Sequence, residues 1–141
     1  MQRGATLLEL ALILVVLGLL LAIGLPRLNG VTDALAVDGA AQDIIVAHRR
    51  ARTVAIFQGK VVELAIDSSA LAIRAPGDTA DLWHAAGPAA TRVALVGGPK
   101  KILFSPVGLS MGVSNASFHL SRGGATRTVV VSRLGRVRVT P

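Results

Sequence analysis

The stretch Arg3–Leu28, RGATLLELALILVVLGLLLAIGLPRL, decides how this chain of 141 residues is organised. Every residue over Leu10–Leu25 is apolar or glycine, yet one acid, Glu9, stands at the start of the run. As a helix rising about 1.5 Å per residue, Leu7–Leu25 spans roughly 28 Å, close to the roughly 30 Å apolar thickness of a bilayer. The stretch therefore predicts a membrane-spanning helix that carries an unexplained carboxylate near one end.

Two ordinary explanations of this stretch leave Glu9 unaccounted for. A secretory signal peptide has a basic start, an apolar core of about 7–15 residues and a small-x-small cleavage site, which Ala22-Ile23-Gly24 matches only loosely. The run here is longer than such a core. A plain membrane anchor leaves the carboxylate without a partner, because no Lys or Arg follows it within two helical turns. A charge in a spanning helix costs about 2.5–3.5 kcal/mol at the bilayer centre, and less near the interface.

Cleavage between Gly4 and Ala5 would create the missing partner, a free ammonium group four residues before Glu9. Within one helix the two groups lie about one turn apart along the axis, which is poor ion-pair geometry. Between neighbouring copies shifted along the axis, the carboxylate of one subunit meets the amine of the next. Each charge is costly alone in lipid and is offset only in the packed assembly, so the pattern predicts a filament subunit.

The joint pattern of this stretch resembles the prepilin cleavage motif of type IV pilins and type II secretion pseudopilins. It combines a short basic leader ending in Gly4, an acid at Glu9, a long apolar run and Pro26. The resemblance implies that a prepilin peptidase cuts after Gly4 and methylates the new amine of Ala5. It also implies that Glu9 acts in filament assembly and that Pro26 kinks the helix. The chain departs from the family in having Ala5 where Phe is commonest.

The remainder of the chain predicts an α+β fold, in which the long N-terminal transmembrane helix is followed by a β-rich globular domain of antiparallel strands, as in pilins. Apolar residues keep helical spacing up to Gly59 and alternate from Val62 onward. The expected segments are a leader (1–4), a transmembrane and filament-core segment (5–28), an amphipathic helix (29–59) and a β-rich domain (60–141) of six or seven strands. Ala75–Thr91, with Trp83, is expected to be a loop. The residues expected on the core side of the helix are Ala40, Ile44, Ala47, Ala51, Val54 and Ala55.

Three later stretches narrow the resemblance to one branch of the family. They are AHRRARTVAIFQGKVVELAI, ILFSPVGLSMG and TVVVSRLGRVRV. Together they are similar to the H-type minor pseudopilins of type II secretion (GspH) and the related FimT-like minor pilins. This implies single-pass insertion in a bacterial inner membrane, with the C-terminal domain in the periplasm. It also implies assembly with other major and minor pseudopilins or pilins into an envelope filament, most simply the type II secretion pseudopilus that acts in protein export.

The charges of the chain are divided unevenly and favour an alternative role. Residues 1–82 hold seven Lys/Arg and eight Asp/Glu, whereas residues 83–141 hold eight Lys/Arg and no acid. A half this basic attracts anionic polymers. Arg136 and Arg138 are expected on one face of a terminal strand, about 6–7 Å apart, with Arg133, Arg127 and Arg122 as further candidates. In FimT-like pilins a Gly-Arg-x-Arg element of this kind is associated with non-specific DNA binding during natural transformation.

Two plainer explanations of the basic strand remain open. H-type pseudopilins commonly end in a similar Gly-Arg-rich strand, and exposed arginines on a strand discourage edge-to-edge aggregation. A basic half also serves as a simple solubility bias. The sequence therefore leaves DNA as an alternative partner beside the membrane, the peptidase and the other subunits.

The sequence predicts neither an enzyme nor a metal or cofactor site. His48, His84 and His119 are widely spaced, and His48 is expected at the edge of the core rather than as a ligand. All acids lie between residues 9 and 81, which disfavours a Ser-His-Asp set. The chain has no cysteine, which excludes disulfides, thiolate metal sites and cysteine nucleophiles.

Overall fold

The structure, a computed structural model, describes residues 6–111, 116–132 and 135–141, apart from the side chains of residues 25–27. Within these residues it contains one long helix, nine strands and a 3₁₀ helix over Pro88–Thr91. In chain order the helix and strands are α1 (Leu7–Gln58), β1 (Val62–Ile66), β2 (Ala70–Arg74), β3 (Asp81–Ala86), β4 (Ala94–Val96), β5 (Lys100–Phe104), β6 (Ser110–Met111), β7 (Ala116–Arg122), β8 (Ala125–Val131) and β9 (Val137–Thr140).

The chain divides into two compact units, Met1–Thr32 and Asp33–Pro141. In the first unit, every described side chain of α1 is exposed within the single chain. This part of α1 is long and apolar enough to cross a membrane. A surface this apolar needs lipid or other helices around it. The α1 assignment runs through Pro26 without interruption, and the predicted kink there stays a prediction.

The second unit contains two antiparallel sheets. Sheet A has the strand order β3-β2-β1-β5-β6, and sheet B has the order β4-β7-β8-β9. In sheet A, Leu64 lies opposite both Ile73 and Ile102. In sheet B, Phe118 lies opposite Val129. All five of these side chains are buried, so one face of each sheet is turned toward a shared core.

One side of α1 contributes to the same core as both sheets. Five of the six predicted core residues of the helix are buried, namely Ala40, Ile44, Ala47, Ala51 and Ala55, and Val54 is half-buried against them. Phe104 and Phe118 are the largest fully buried side chains. The small alanines let the helix approach the sheets closely, and the two phenylalanines fill the remaining depth. The predicted α+β fold is confirmed.

β7 and β8 form a hairpin that turns at Gly123 and Gly124, since Arg122 pairs directly with Ala125. Gly123 has φ +54°, in the left-handed region that favours glycine. A Cβ atom on Gly123 would also meet the carboxylate of Asp33 in α1. The turn therefore needs glycine for both its backbone conformation and its close approach to the helix.

The predicted loop over Ala75–Thr91 is wrong for residues 81–86, which form β3 at the edge of sheet A. The guanidinium of Arg50 lies over the Trp83 ring, 5.0 Å from its centroid. This strand lacks an alternating row of large apolar residues, because most of its side chains are exposed at the sheet edge. β3 forms because it pairs with β2 and because Arg50 of α1 covers Trp83. Both partners are distant in sequence, so the residues of β3 alone do not predict a strand.

His48 is buried more deeply than the sequence predicts. It is 2% exposed, and its ring meets Phe104 edge-on with the centroids 5.0 Å apart. Its Nε2 has no hydrogen-bond partner in the described part of the chain. Burial lowers the pKa of His48 below its ordinary value of 6.5, and the positive charges of Arg52 and Arg49 lower it further. The ring is therefore a neutral core side chain at pH 7.

We expect the second unit to lose stability as the pH falls below about 6.5, because the unfolded chain then binds a proton at His48 that the folded chain does not. The loss is at most about 1.4 kcal/mol per pH unit and continues down to the folded pKa. The measurement is the urea midpoint of the full chain in detergent at pH 7.5 and 5.5, followed by fluorescence of Trp83, the only tryptophan. His48→Leu should remove the difference, whereas His119→Leu, at an exposed histidine, should keep it. An equal pH response in the His48 variant would contradict this explanation.

Candidate functional site

The first candidate site is the start of α1, where Glu9 lies in the first helical turn. Its side chain is exposed and has no ion-pair partner among the residues that the structure describes. The backbone N–H of Glu9 donates to the Thr6 hydroxyl at 3.3 Å, and the N–H of Leu10 donates to the Thr6 carbonyl at 3.1 Å. Gly4 and Ala5, the predicted cleavage positions, lie outside the described residues.

The first turn of α1 also suits an acid for a local reason, independent of any second subunit. Thr6 and Glu9 have the spacing of a capping box, in which Thr at the N-cap binds the backbone N–H of the Glu three residues later. A negative charge in the first turn also interacts favourably with the helix dipole. The sequence Thr6-Leu7-Leu8-Glu9 has this Thr-x-x-Glu spacing. Capping accounts for an acid here but supplies no opposite charge to neutralise it in lipid.

The second candidate site is the face of sheet B turned away from the core, here called the outer face of sheet B. Val129 and Val139 lie opposite each other on the core side, so the neighbouring pair Val130 and Arg138 lies on the outer face. Arg136 and Arg138 are both exposed, and they line one concavity of about 550 Å³. Its other lining residues are Val130, Ser132 and Thr140.

The turn before β9 holds Arg136 at the end of this concavity. The backbone N–H of Ser132 donates to the Arg136 carbonyl at 2.9 Å, and the N–H of Arg136 donates to the Ser132 hydroxyl at 3.2 Å. Gly135 has φ +73°, a conformation that disfavours any other residue. Gly135 therefore has a structural reason to precede the two arginines. Arg133, another predicted member of the group, lies outside the described residues.

The electrostatics of the outer face favour an anion. No acidic residue occurs after Asp81, so none of the strands of sheet B carries a carboxylate side chain. His119 and Thr128 lie opposite each other on this face, and their Nδ1 and hydroxyl oxygen are 3.0 Å apart. The face thus offers two guanidinium groups beside the His119 ring and the Thr128 hydroxyl, with no opposing negative side chain.

Arg122 and Arg127 lie on the other face of the same sheet. Arg127 is opposite the buried Leu120, which places it on the core side. Its Nε lies 2.8 Å from a carboxylate oxygen of Asp38 in α1, and Nε of Arg122 lies 2.8 Å from one of Asp33. These two arginines join sheet B to the helix. The structure therefore does not bring them together with Arg136 and Arg138.

The sequence did not predict that Val130, Ser132 and Thr140 line the concavity together with the two arginines. Strand alternation alone would have placed Thr140 beside Arg138, but the pairing with β8 that brings Val130 under them is a tertiary fact. For metal binding, no cluster of three or more His, Cys, Asp or Glu side chains exists within residues 6–111, 116–132 and 135–141. The absence of a cofactor stays a prediction.

The fold is that of the type IV pilin-like proteins. Two crystal structures of the type IV minor pilin FimU of Pseudomonas aeruginosa match this chain with TM-scores of 0.60 and 0.58. Each covers 74% of this chain, and this chain covers 88% and 92% of them. Their sequences are only 20% and 19% identical to it, so this likeness establishes the fold alone.

Sequence comparison establishes the family. The family described as Type II transport protein GspH matches residues 40–135. The pilin-like protein PilA1 of Thermus thermophilus is 35% identical over 157 aligned positions, which cover 98% of both chains. The chain therefore belongs to the GspH family of pilin-like proteins. Family and fold are those of structural pilins.

Proposed function

We propose that this chain is a minor pseudopilin, a structural subunit of the type II secretion pseudopilus that acts in protein export. One observation carries the proposal: an exposed, bilayer-length apolar helix keeps an acid, Glu9, that has no ion-pair partner in the described residues. A charge in such a helix is retained when assembly supplies its partner. The family description supports the secretion role.

The proposed route begins with insertion in the inner membrane, with the short basic leader in the cytoplasm. A prepilin peptidase cuts after Gly4 and methylates the amine of Ala5. The new ammonium of one subunit then neutralises Glu9 of a neighbour, and the apolar helices pack together in the filament core. Pro26 kinks the helix beyond the apolar run. The β-rich domain faces the periplasm beside other major and minor pseudopilins.

Replacing Gly4 with leucine is expected to block cleavage, because the peptidase site requires a residue without a side chain before the cut. Intact mass spectrometry of the membrane-extracted chain should show the wild type beginning at Ala5 with one added methyl group, and the variant beginning at Met1. Gly18→Leu is a matched control, since a Cβ atom at Gly18 meets nothing within 4 Å and the residue lies inside the apolar run. A wild-type chain that keeps Met1 would overturn the proposal.

A second candidate function is supported by a different observation. Arg136 and Arg138 line one concavity on a sheet face that carries no acidic side chain. The alternative proposal is therefore a FimT-like minor type IV pilin that binds DNA through this strand during natural transformation. Phosphate binding of this kind is independent of base sequence and weakens steeply with salt. A full chain that fails to retard duplex DNA at low salt rejects this candidate.

The two functions predict different defects in a strain that lacks the protein. A pseudopilin of type II secretion is needed for export, so secreted proteins should accumulate in the periplasm. A DNA-binding minor pilin is needed for uptake, so transformation should fall while export continues. Complementation with the Glu9→Ala and Arg136→Ala/Arg138→Ala variants assigns each defect to its site.

A further inference from the structure

The outer face of sheet B carries hydroxyl groups well beyond the concavity that holds Arg136 and Arg138. Phe118, Leu120 and Val129 are buried, so strand alternation turns the residues between them outward. The strand pairing extends this face from β4 to β9, and none of its residues is buried. Six of these residues carry a hydroxyl group, namely Ser117, Ser121, Thr126, Thr128, Ser132 and Thr140.

Three residues of this face form a row that crosses the strands at one level, here called the cross-strand row. His119 of β7 lies opposite Thr128 of β8, which lies opposite Thr140 of β9. Nδ1 of His119 is 3.0 Å from the Thr128 hydroxyl oxygen. Nε2 of His119 has no hydrogen-bond partner among the residues that the structure describes, and the side chain is exposed. If the Thr128 hydroxyl donates to Nδ1, the ring proton stands on Nε2, where it can be donated to an anion.

No carboxylate side chain interrupts the face between the two arginines and the cross-strand row. Thr140 lines the same concavity as Arg136 and Arg138, so one end of the row lies beside the guanidinium groups. At the other end, β4 places the exposed Val96 opposite His119. The chain has no acidic residue after position 81, so the strands of sheet B oppose no anion with a negative side chain.

The dimensions of this surface suit several phosphates of one DNA strand. His119 and Arg138 are separated by two strand spacings of about 4.8 Å and by about 6.6 Å along a strand. Their Cα atoms therefore lie about 12 Å apart. One DNA strand carries a phosphate per about 3.4 Å of helix axis, so this distance corresponds to roughly three or four phosphates. Serine and threonine hydroxyls, like arginines, commonly donate hydrogen bonds to DNA phosphates.

We propose that DNA crosses the strands of sheet B, with one phosphate backbone running from Arg136 and Arg138 at β9 over the cross-strand row to His119 at β7. This inference rests on the second candidate function, DNA binding. It assigns phosphate contacts to His119, Thr128 and Thr140. A duplex that followed the direction of β9 would instead contact the two arginines and leave His119 free. The two paths therefore differ at β7 and β4.

The chain offers a matched pair of histidines for the first test. His119 and His84 are both exposed on strands, but His84 lies on β3, at the edge of sheet A. Glutamate at either position makes the same change in composition. We expect His119→Glu to weaken binding of the full chain in detergent to duplex DNA at least about tenfold at 50 mM salt. His84→Glu should weaken it less than about twofold.

A second matched pair tests a gain of binding. Val96 is 56% exposed at the β4 end of the cross-strand row, and Leu82 is 51% exposed on β3. We expect Val96→Lys to tighten binding about threefold at 50 mM salt and to make the dependence of log K on log salt steeper by about one. Leu82→Lys should leave this salt slope unchanged. Misfolding does not explain a gain that occurs at Val96 and not at Leu82.

Two outcomes would overturn the inference alone. Equal changes within both pairs would assign the effects to net charge. Unchanged binding in His119→Glu, together with weaker binding in Arg136→Ala/Arg138→Ala, would confine the DNA to β9 and leave the second candidate function standing. If the wild-type full chain does not retard duplex DNA at 50 mM salt, the second candidate function fails, and this inference fails with it.

Discussion

The Glu9→Ala and Glu9→Gln variants are expected to be cleaved after Gly4 like the wild type and to enter the filament at least about tenfold less. The peptidase acts on the leader side of the cut, where both variants are unchanged. In the proposed route, assembly depends on the next step, in which an ammonium group in lipid pairs with a carboxylate on the neighbouring subunit. Removing the carboxylate leaves the ammonium unpaired in each added subunit, and an unpaired charge in a membrane helix costs a few kcal/mol.

The pair of variants separates this explanation from helix capping. Thr6 accepts a hydrogen bond from the backbone of Glu9 at 3.3 Å, and Gln serves as well as Glu at that position of a capping box. If capping were the role of Glu9, the Gln variant would assemble normally and only the Ala variant would fail. If the negative charge is what assembly needs, the Ala and Gln variants both lose filament incorporation. Glu9→Asp then keeps part of the incorporation, because it still has a carboxylate, although a shorter one.

Filament incorporation is measured by shearing, sedimentation and immunoblotting, with mass spectrometry of the membrane pool as the processing control. Normal incorporation of the Gln variant would remove the ion pair from the proposed assembly route. Loss of cleavage in either variant would place Glu9 in peptidase recognition instead.

The sequence predicted the helix and most of the core because one physical signal was repeated many times. The apolar run of the first unit is nearly unbroken, and the alanines from Ala40 to Ala55 recur at helical spacing. The strand around Phe118 alternates buried and less buried residues, as its sequence does. In each of these elements, the local pattern of apolar residues predicts which face is buried.

The elements that sequence reasoning missed depend on a partner distant in the chain. β3 is a strand because β2 pairs with it and Arg50 covers Trp83. His48 is buried because Phe104, more than fifty residues later, packs against its ring. Nothing local to either segment distinguishes it from a loop or a boundary residue.

The candidate basic site also depends on contacts that the sequence does not show. Five arginines in the last twenty residues are alike in sequence, but sheet B separates those that the structure describes. Arg122 and Arg127 face α1 and meet Asp33 and Asp38, whose contribution to the pairing could not be read from spacing. Arg138 faces outward because the β8–β9 register sets Val129 and Val139 inward. Strand alternation predicts which residues share a face, and the register decides which face is free.

The second candidate function predicts that Arg136 and Arg138 bind the phosphates of duplex DNA. Arg136→Ala/Arg138→Ala is expected to weaken binding about tenfold at 50 mM salt and to lower the slope of log K against log salt by about two, since two phosphate contacts are lost. Binding to two unrelated duplexes should fall equally, because phosphate contacts carry no sequence information. The measurement is a gel shift of the full chain in detergent at 50 and 200 mM salt.

The control must remove two positive charges without touching sheet B. Arg49→Ala/Arg52→Ala does so, since both residues are exposed on α1 and neither has an ion-pair partner among the described residues. A local phosphate site predicts that this control keeps its salt slope, whereas a general attraction of the basic chain predicts equal losses in both double variants. Equal losses would therefore assign DNA binding to net charge and leave the outer face of sheet B without a specific role. An unchanged slope in the control, together with a lower slope in the sheet variant, would instead place the phosphates at the two arginines that Gly135 and the β8–β9 register hold outward.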